Sequence, residues 1–300
     1  MSDAIDKTGN LAQAMEHAQQ LLDHDLQQAT LQLEEILAAV PDHVPAHFLK
    51  ALVLGQQQQG EQAIQALEKV LALDPNHPEA WRLLADHSAA IGDKAASESA
   101  YLRHLQSATG NPNLQQAAAA MIANELPTAE RILKSHLKNA PTDVAAIRML
   151  AEVAVRVGRN ADAQALLEYC LELTPGFSGA RYNLAVLLHR TNKSDDALRE
   201  VDQLLAEEPD RPGYRNLAAV VCSRIGEYER SSQLYQALLA EYPQNAKVWL
   251  SYAHVLKTEG KREACEAAYR GAIDRDERFG EAYWSLANLK TFRFSAVSYT

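Results

Sequence analysis

The fold is decided by three consecutive stretches that share one pattern: VAAIRMLAEVAVRVGRNADAQALLEYCLELTPGF at 144–177, SGARYNLAVLLHRTNKSDDALREVDQLLAEEPDR at 178–211 and PGYRNLAAVVCSRIGEYERSSQLYQALLAEYPQN at 212–245. A turn-forming residue recurs near the middle of each copy, and a proline recurs near its end. These positions are Gly158, Asn192 and Gly226, and Pro175, Pro209 and Pro243. Glycine and asparagine adopt the left-handed backbone that ends a helix, and proline cannot continue one. Each copy is therefore predicted to be two helices, A and B.

Small residues recur where the two helices of a copy would cross. They are Ala151, Ala185 and Ala219 on helix A, and Ala163, Ala197 and Ser231 on helix B. Small side chains allow a close approach of the two helices. Two amphipathic helices cannot bury their apolar faces alone, so neighbouring copies are expected to stack into one continuous core.

A 34-residue period with this order of small, bulky and turn residues resembles the tetratricopeptide repeat, a helix–turn–helix unit. The resemblance implies an all-α fold, a right-handed α-α superhelix of about eight repeats plus a final helix. It also implies that the A helices line a concave groove.

Extending the register outward predicts the organisation of the whole chain. The predicted segments are a disordered tail at 1–9, repeats at about 10–43, 44–77, 78–111, 112–143, 144–177, 178–211, 212–245 and 246–279, a final solvating helix at 280–294, and a tail at 295–300. The repeat at 112–143 is two residues short, and the deletion is expected in its turn, at 124–127.

Composition excludes several functional classes. The formal net charge of −10 argues against binding to duplex nucleic acid, which requires a basic surface. No apolar run reaches the roughly 18 residues of a membrane-spanning helix. The cysteines, at 170, 222 and 265, are odd in number and widely spaced, which fits a reducing cytoplasm. No cofactor motif or metal-ligand motif is present, so neither is predicted.

One set of side chains predicts a binding site. Arg156, Arg190 and Arg224 recur at the repeat spacing near the ends of successive A helices. The other candidate groove residues are Arg148, Tyr182, Asn183, His189, Asn216, His254 and Lys257. A basic and polar groove would attract an acidic peptide or a terminal carboxylate. The alternative is that the arginines cap the carbonyls at the ends of their helices, where the negative end of the helix dipole favours a cation.

The C-terminal segment Gly280–Phe294 is rich in aromatic residues. Tyr283, Trp284, Phe292 and Phe294 would form an association surface, covered in a homodimer or by a further domain. The segment resembles the last helix of the repeat arm in bacterial tetratricopeptide-repeat sulfotransferases, whose catalytic domain uses the sulfate donor PAPS. The donor-binding loop of that family has no counterpart here, so the resemblance implies a non-catalytic arm and no catalytic residue.

Two functions follow as predictions. The first is a protein-interaction scaffold that binds a peptide or protein segment in the concave groove. The second, implied by the sulfotransferase resemblance, is the N-terminal arm of an enzyme whose catalytic domain is absent from this chain. Whether the chain serves an enzyme is therefore left open.

Overall fold

The computed structural model describes the backbone of residues 2–289 and the side chains of residues 11–289. Within these residues the chain forms seventeen α-helices and no strand, which confirms the predicted all-α repeat fold. The helices are α1 Ser2–Leu21, α2 Leu26–Ala39, α3 Val44–Gln56, α4 Gly60–Leu73, α5 Pro78–Ala90, α6 Lys94–Ala108, α7 Pro112–Ile122, α8 Leu126–Asn139, α9 Val144–Arg156, α10 Asn160–Leu173, α11 Ser178–Arg190, α12 Ser194–Glu207, α13 Pro212–Ile225, α14 Tyr228–Glu241, α15 Ala246–Thr258, α16 Arg262–Arg275 and α17 Gly280–Ala287.

The chain divides into two compact units. Unit 1 consists of Met1–His87 and Ala95–Ile132, and unit 2 consists of Ser88–Lys94 and Leu133–Thr300. In unit 2 the odd-numbered helices α9 to α15 are the A helices of the repeats, and the even-numbered helices α10 to α16 are the B helices.

The turn between helix A and helix B contains one left-handed residue in seven successive repeats. These residues are Gln58, Gly92, Asn124, Gly158, Asn192, Gly226 and Gly260, with φ between 57° and 92°. A Cβ atom on any of the four glycines would meet nothing within 4 Å, so the backbone angle, not space, favours glycine there. Gln58 is neither glycine nor asparagine, yet its backbone has the left-handed conformation of the other turn residues.

The predicted position of the two-residue deletion is wrong. Helix α7 has 11 residues, whereas α9 has 13. In both repeats the left-handed residue, Asn124 or Gly158, follows two positions after the helix ends. The deletion therefore shortens helix A and leaves the turn intact, since the turn needs its left-handed residue at a fixed offset.

The predictions for the two ends of the chain have different outcomes. Helix α1 begins at Ser2, within the segment predicted as a tail. No proline interrupts residues 2–9, so the helix that contains Leu11 extends to their N-terminal side. Residues 290–300 lie outside the described residues, and they include the end of the predicted final helix and the predicted C-terminal tail.

Small residues sit where the helices of a repeat cross. The Ser231 hydroxyl on α14 donates a hydrogen bond of 2.7 Å to the Ala219 carbonyl on α13, and both residues are fully buried. Ala185 and Ala197 are equally buried at the matching places one repeat earlier. The B helix thus lies directly on the A helix, as the pattern of small residues predicts.

A second recurring contact joins each repeat to the next. The fourth residue of four A helices donates a hydrogen bond to the carbonyl of the proline six positions upstream, at 2.6–2.9 Å. The pairs are His47 with Pro41, Trp81 with Pro75, Arg181 with Pro175 and Trp249 with Pro243. Each such bond satisfies the carbonyl of a proline that lies two residues after a B helix ends.

Candidate functional site

Charge is divided between the two sets of helices in unit 2. Helices α9, α11, α13 and α15 contain eight lysines and arginines and one acidic residue, Glu152. The eight are Arg148, Arg156, Arg181, Arg190, Arg215, Arg224, Lys247 and Lys257. Helices α10, α12, α14 and α16 contain thirteen acidic residues and five basic ones. An acidic protein thus concentrates positive charge on one set of its helices.

The A helices contact one another through side chains. Tyr182 on α11 and Tyr214 on α13 stack with ring centroids 5.7 Å apart. Arg224 at the end of α13 donates a hydrogen bond of 2.9 Å to the Asn192 side chain, which follows α11. These contacts join α11 to α13, and the surface formed by α9, α11, α13 and α15 is termed the A-helix face below.

Arg148 lies in the floor of the A-helix face and is only 8% exposed. Its guanidinium lies 5.6 Å from the Phe177 ring and 3.5 Å from the Asn183 side-chain oxygen. Burial lowers the pKa of Arg148 to about 10, so the group stays charged at neutral pH. A Cβ atom at Gly179 would approach this guanidinium to 2.9 Å, so the glycine makes room for it.

The three arginines of the predicted ladder differ in their surroundings. Arg156 donates to Glu152 one turn earlier in α9, at 3.3 Å. Arg224 bonds to Asn192, and Arg190 is exposed at the end of α11. All three arginines lie in the last turn of their helices, so the groove site and the capping alternative both stay predictions.

Two candidate histidines have lowered pKa values for similar reasons. Burial lowers the pKa of His189 most, and the nearby cations Arg224 and Lys94 lower it further. Burial likewise lowers the pKa of His254, whose ring lies 3.4 Å from the Ser285 hydroxyl and edge-on to Tyr269. His254 therefore also contacts α16 and α17.

The remaining predicted groove residues lie on α13 and α15. Lys257 is exposed near the end of α15. The Asn216 amide on α13 donates a hydrogen bond of 2.8 Å to the Ala89 carbonyl, within unit 2. Lys247 on α15, which the sequence analysis did not single out, forms an ion pair of 3.1 Å with Asp93. These partners are distant in sequence, so the repeat pattern contains no signal for them.

Two of the eight cations are committed to ion pairs with B helices. Arg181 bonds to Glu200 at 2.6 Å, and Arg215 forms a buried ion pair with Glu241. These two arginines are therefore treated as structural, whereas Arg190 and Lys257 are exposed.

The predicted association surface is only partly described. Trp284 on α17 is 70% exposed, and Tyr283 is half-buried. Phe292 and Phe294 lie outside the described residues. In the described part of the chain, no group of three or more His, Cys, Asp or Glu side chains is placed to hold a metal ion.

No described helix combines the length and the apolar character that crossing a bilayer requires.

Comparisons with known proteins bear on the repeats. Models described as tetratricopeptide repeats match residues 48–112, 154–221 and 246–279, which together make up more than half of the chain. No curated protein matches. The matched models give no support to the resemblance between residues 280–294 and sulfotransferase arms.

Solved structures show the same fold over part of the chain. MamA from Desulfovibrio magneticus RS-1 is 13% identical, with a TM-score of 0.52 over 56% of this chain and 94% of that one. MamA from AMB-1 is 18% identical, with a TM-score of 0.51 over 56% of this chain and 99% of that one. At these identities the likeness concerns the fold alone. The repeat period, the helix pairs and the matched models agree that this chain is a tetratricopeptide-repeat protein.

Proposed function

We propose that this protein is an interaction scaffold whose A-helix face binds an acidic segment of a partner protein. Repeat proteins of this kind present an extended surface built from successive helices, which suits a peptide or a protein segment. The acidic character of the partner is inferred from the charges on that surface.

The observation that carries the proposal is the division of charge in unit 2. The A helices hold eight cations and one acid, although the whole chain has a net charge of −10. Arg181 and Arg215 pair with B-helix carboxylates, whereas Arg190 and Lys257 are exposed on the A helices. Clustered cations repel one another, and bound carboxylates would relieve that repulsion.

Arg190 is the best single probe of the proposed surface. It is exposed, it lies between Arg156 and Arg224 in the repeat register, and it ends α11. An arginine there can bond a carboxylate through two parallel N–H groups. Arg148 is a poorer probe, because it is buried against Phe177 and its removal would disturb packing.

The test measures binding of a fluorescein-labelled peptide of alternating glutamate and alanine by fluorescence anisotropy. The same peptide with lysine in place of glutamate serves as the charge control. We expect saturable binding of the glutamate peptide alone, weakened by added salt because exposed charges are screened. Arg190→Glu should weaken binding by roughly three- to ten-fold, given the energies typical of charge-assisted contacts.

The matched variant is Arg199→Glu on the B helix α12. Its side chain is 69% exposed and forms an ion pair with Asp196 in the preceding turn, so the charge change is identical but lies on a B helix. Arg199→Glu should leave binding unchanged. Equal losses from both variants, or equal binding of the glutamate and lysine peptides, would contradict the proposal.

Two earlier predictions remain untested. No observation favours the sulfotransferase arm, and it stays a prediction. Self-association through α17 also stays a prediction, favoured by the 70% exposure of Trp284. Light scattering compares the two states: Trp284→Ser should lower the measured mass to that of one chain if this tryptophan joins two copies, and a mass unchanged by the substitution would exclude that role.

A further inference from the structure

A groove in unit 2 is lined by residues of α10, α11 and α12 and has a volume of about 560 Å³. Because two of these helices are B helices, it is termed the B-helix groove below. Leucines line part of it, namely Leu171, Leu184 and Leu188. The carboxylates that line it are Glu168 and Glu172 on α10, and Asp196 and Glu200 on α12. The groove thus combines an apolar part with acidic walls.

Arginines compensate the two carboxylates on α12. Arg181 on α11 donates to Glu200 at 2.6 Å and to the Pro175 carbonyl at 2.6 Å. Arg199 forms an ion pair with Asp196 one turn earlier in α12, and the Arg199 side chain is 69% exposed. Each acid on this side of the groove therefore has a cation from the chain itself.

The two carboxylates on α10 lack such a cation. Glu168 accepts a hydrogen bond of 2.7 Å from the Gln164 amide, and Lys193 bonds to Gln164 rather than to Glu168. Within the described residues, no lysine or arginine forms an ion pair with Glu168 or Glu172. Like charges one turn apart on a helix are unfavourable, so a bound cation would relieve the repulsion between these two.

The next repeat shows how a cation can be held between two B helices. There Asp202 on α12 and Arg230 on α14 form an ion pair. The residues 34 positions earlier are Glu168 and Asp196, and both line the B-helix groove. The repeat register therefore has a carboxylate in the groove where the following repeat has a guanidinium. An arginine from another protein could complete the same contact.

We infer that the B-helix groove binds an arginine side chain of a partner protein, with the guanidinium between Glu168 and Asp196. The planar guanidinium carries a fork of N–H donors that can bond carboxylates on both sides at once. Its aliphatic stem packs on the leucines. A lysine ammonium is a point charge without this fork and binds more weakly. This site is independent of the proposed function, because it lies between B helices and selects the opposite charge.

Fluorescence anisotropy of the full chain tests the inference, with a fluorescein-labelled peptide of alternating arginine and alanine as the probe. The lysine–alanine peptide of equal length is the control for charge alone. We expect saturable binding of the arginine peptide and no saturable binding of the lysine peptide over the same concentrations. Equal binding of the two peptides, or no binding of the arginine peptide, would overturn the inference and leave the proposed function standing.

Variants of the groove locate the bound peptide. Glu168→Gln and Asp196→Asn each remove one negative charge, and each should weaken binding of the arginine peptide by roughly three- to ten-fold. Glu263→Gln is the matched control, because Glu263 is exposed on the B helix α16 and the change in charge is the same. It should leave binding unchanged. Equal losses from the three variants would show that the peptide responds to net charge and not to this groove.

A second kind of variant fills the site from within the chain. Asp196→Arg introduces a guanidinium at the register position that Arg230 has one repeat later. It should abolish binding of the arginine peptide, because the new side chain pairs with Glu168 as Arg230 pairs with Asp202. Circular dichroism should show an unchanged helix content. Unchanged binding of the arginine peptide by this variant would overturn the inference.

Discussion

Arg215 and Glu241 form an ion pair in which the carboxylate side chain is 1% exposed and the guanidinium side chain is 9% exposed. The pair joins helix A and helix B of one repeat in unit 2. Its burial separates it from the exposed cations of the A-helix face. A buried charge that loses its partner is strongly destabilising, whereas an apolar replacement of both partners is often neutral.

This pair gives a stability prediction. Glu241→Ala should lower the free energy of unfolding by about 3–5 kcal/mol, because it leaves the Arg215 charge buried without its carboxylate. The double variant Arg215→Met with Glu241→Leu should recover most of that loss. Urea denaturation followed by circular dichroism measures both.

The exposed pair of Arg230 and Asp202 is the comparison. Their side chains are 39% and 45% exposed, so Asp202→Ala should cost about 1 kcal/mol or less. If Glu241→Ala lowers the free energy of unfolding by no more than Asp202→Ala does, the buried pair contributes no more to stability than the exposed pair.

A second prediction concerns the one glutamine among the left-handed turn residues. Gln58 has φ of 57°, a backbone conformation that costs a residue with a side chain roughly 1–2 kcal/mol. Gln58→Gly should therefore raise the free energy of unfolding by about 0.5–1 kcal/mol, since glycine also loses more entropy on folding. Thermal denaturation measures the change.

Gln65→Gly is the control, because Gln65 is exposed and lies in the middle of α4. Glycine inside a helix costs about 0.5–1 kcal/mol, so this variant should be less stable. Destabilisation by both substitutions would show that the turn at residue 58 does not depend on its backbone angle.

A third prediction follows from the lowered pKa of His189. Burial and the cations Arg224 and Lys94 keep its folded pKa below the value of about 6.5 expected in the unfolded chain. As the pH falls through about 6.5, the unfolded state binds more protons than the folded state, so stability decreases. Above that pH the contribution of His189 to stability is fully present.

Urea denaturation at about pH 7.5 and about pH 5.5 measures this effect. His189→Gln should reduce the loss of stability between the two pH values. An identical loss in the His189→Gln variant would show that this histidine does not contribute to the pH dependence.

Much of the fold could be predicted from the sequence, because its period fixes where helices begin, cross and end. Turn residues, small residues and prolines recur at constant offsets. They provide the left-handed backbone of the turn, the close approach of the two helices and the end of helix B. Gln58 shows the limit of this reasoning, since a geometric requirement can be met by an unfavourable residue. The shortened α7 shows another, since residue counts alone do not say which part of a repeat lost two residues.

The candidate site was less predictable. The positions of Arg190 and Arg224 follow from the register, but the bond between Arg224 and Asn192 depends on how far a side chain reaches between helices. The contacts of Asn216 and Lys247 with 88–94 join residues far apart in the chain. The division of charge between A and B helices was readable from sequence once each charge was assigned to its helix.

The central claim is that cations on the A helices of unit 2 select an acidic segment. The measurement that tests it most directly is the Kd of three labelled peptides of equal length, in which none, half or all of a fixed set of positions are glutamate and the rest are glutamine. The account predicts that the Kd decreases from the peptide without glutamate to the half-substituted peptide and again to the fully substituted one. This decrease should be smaller at high salt than at low salt. Equal Kd values for the three peptides would contradict it.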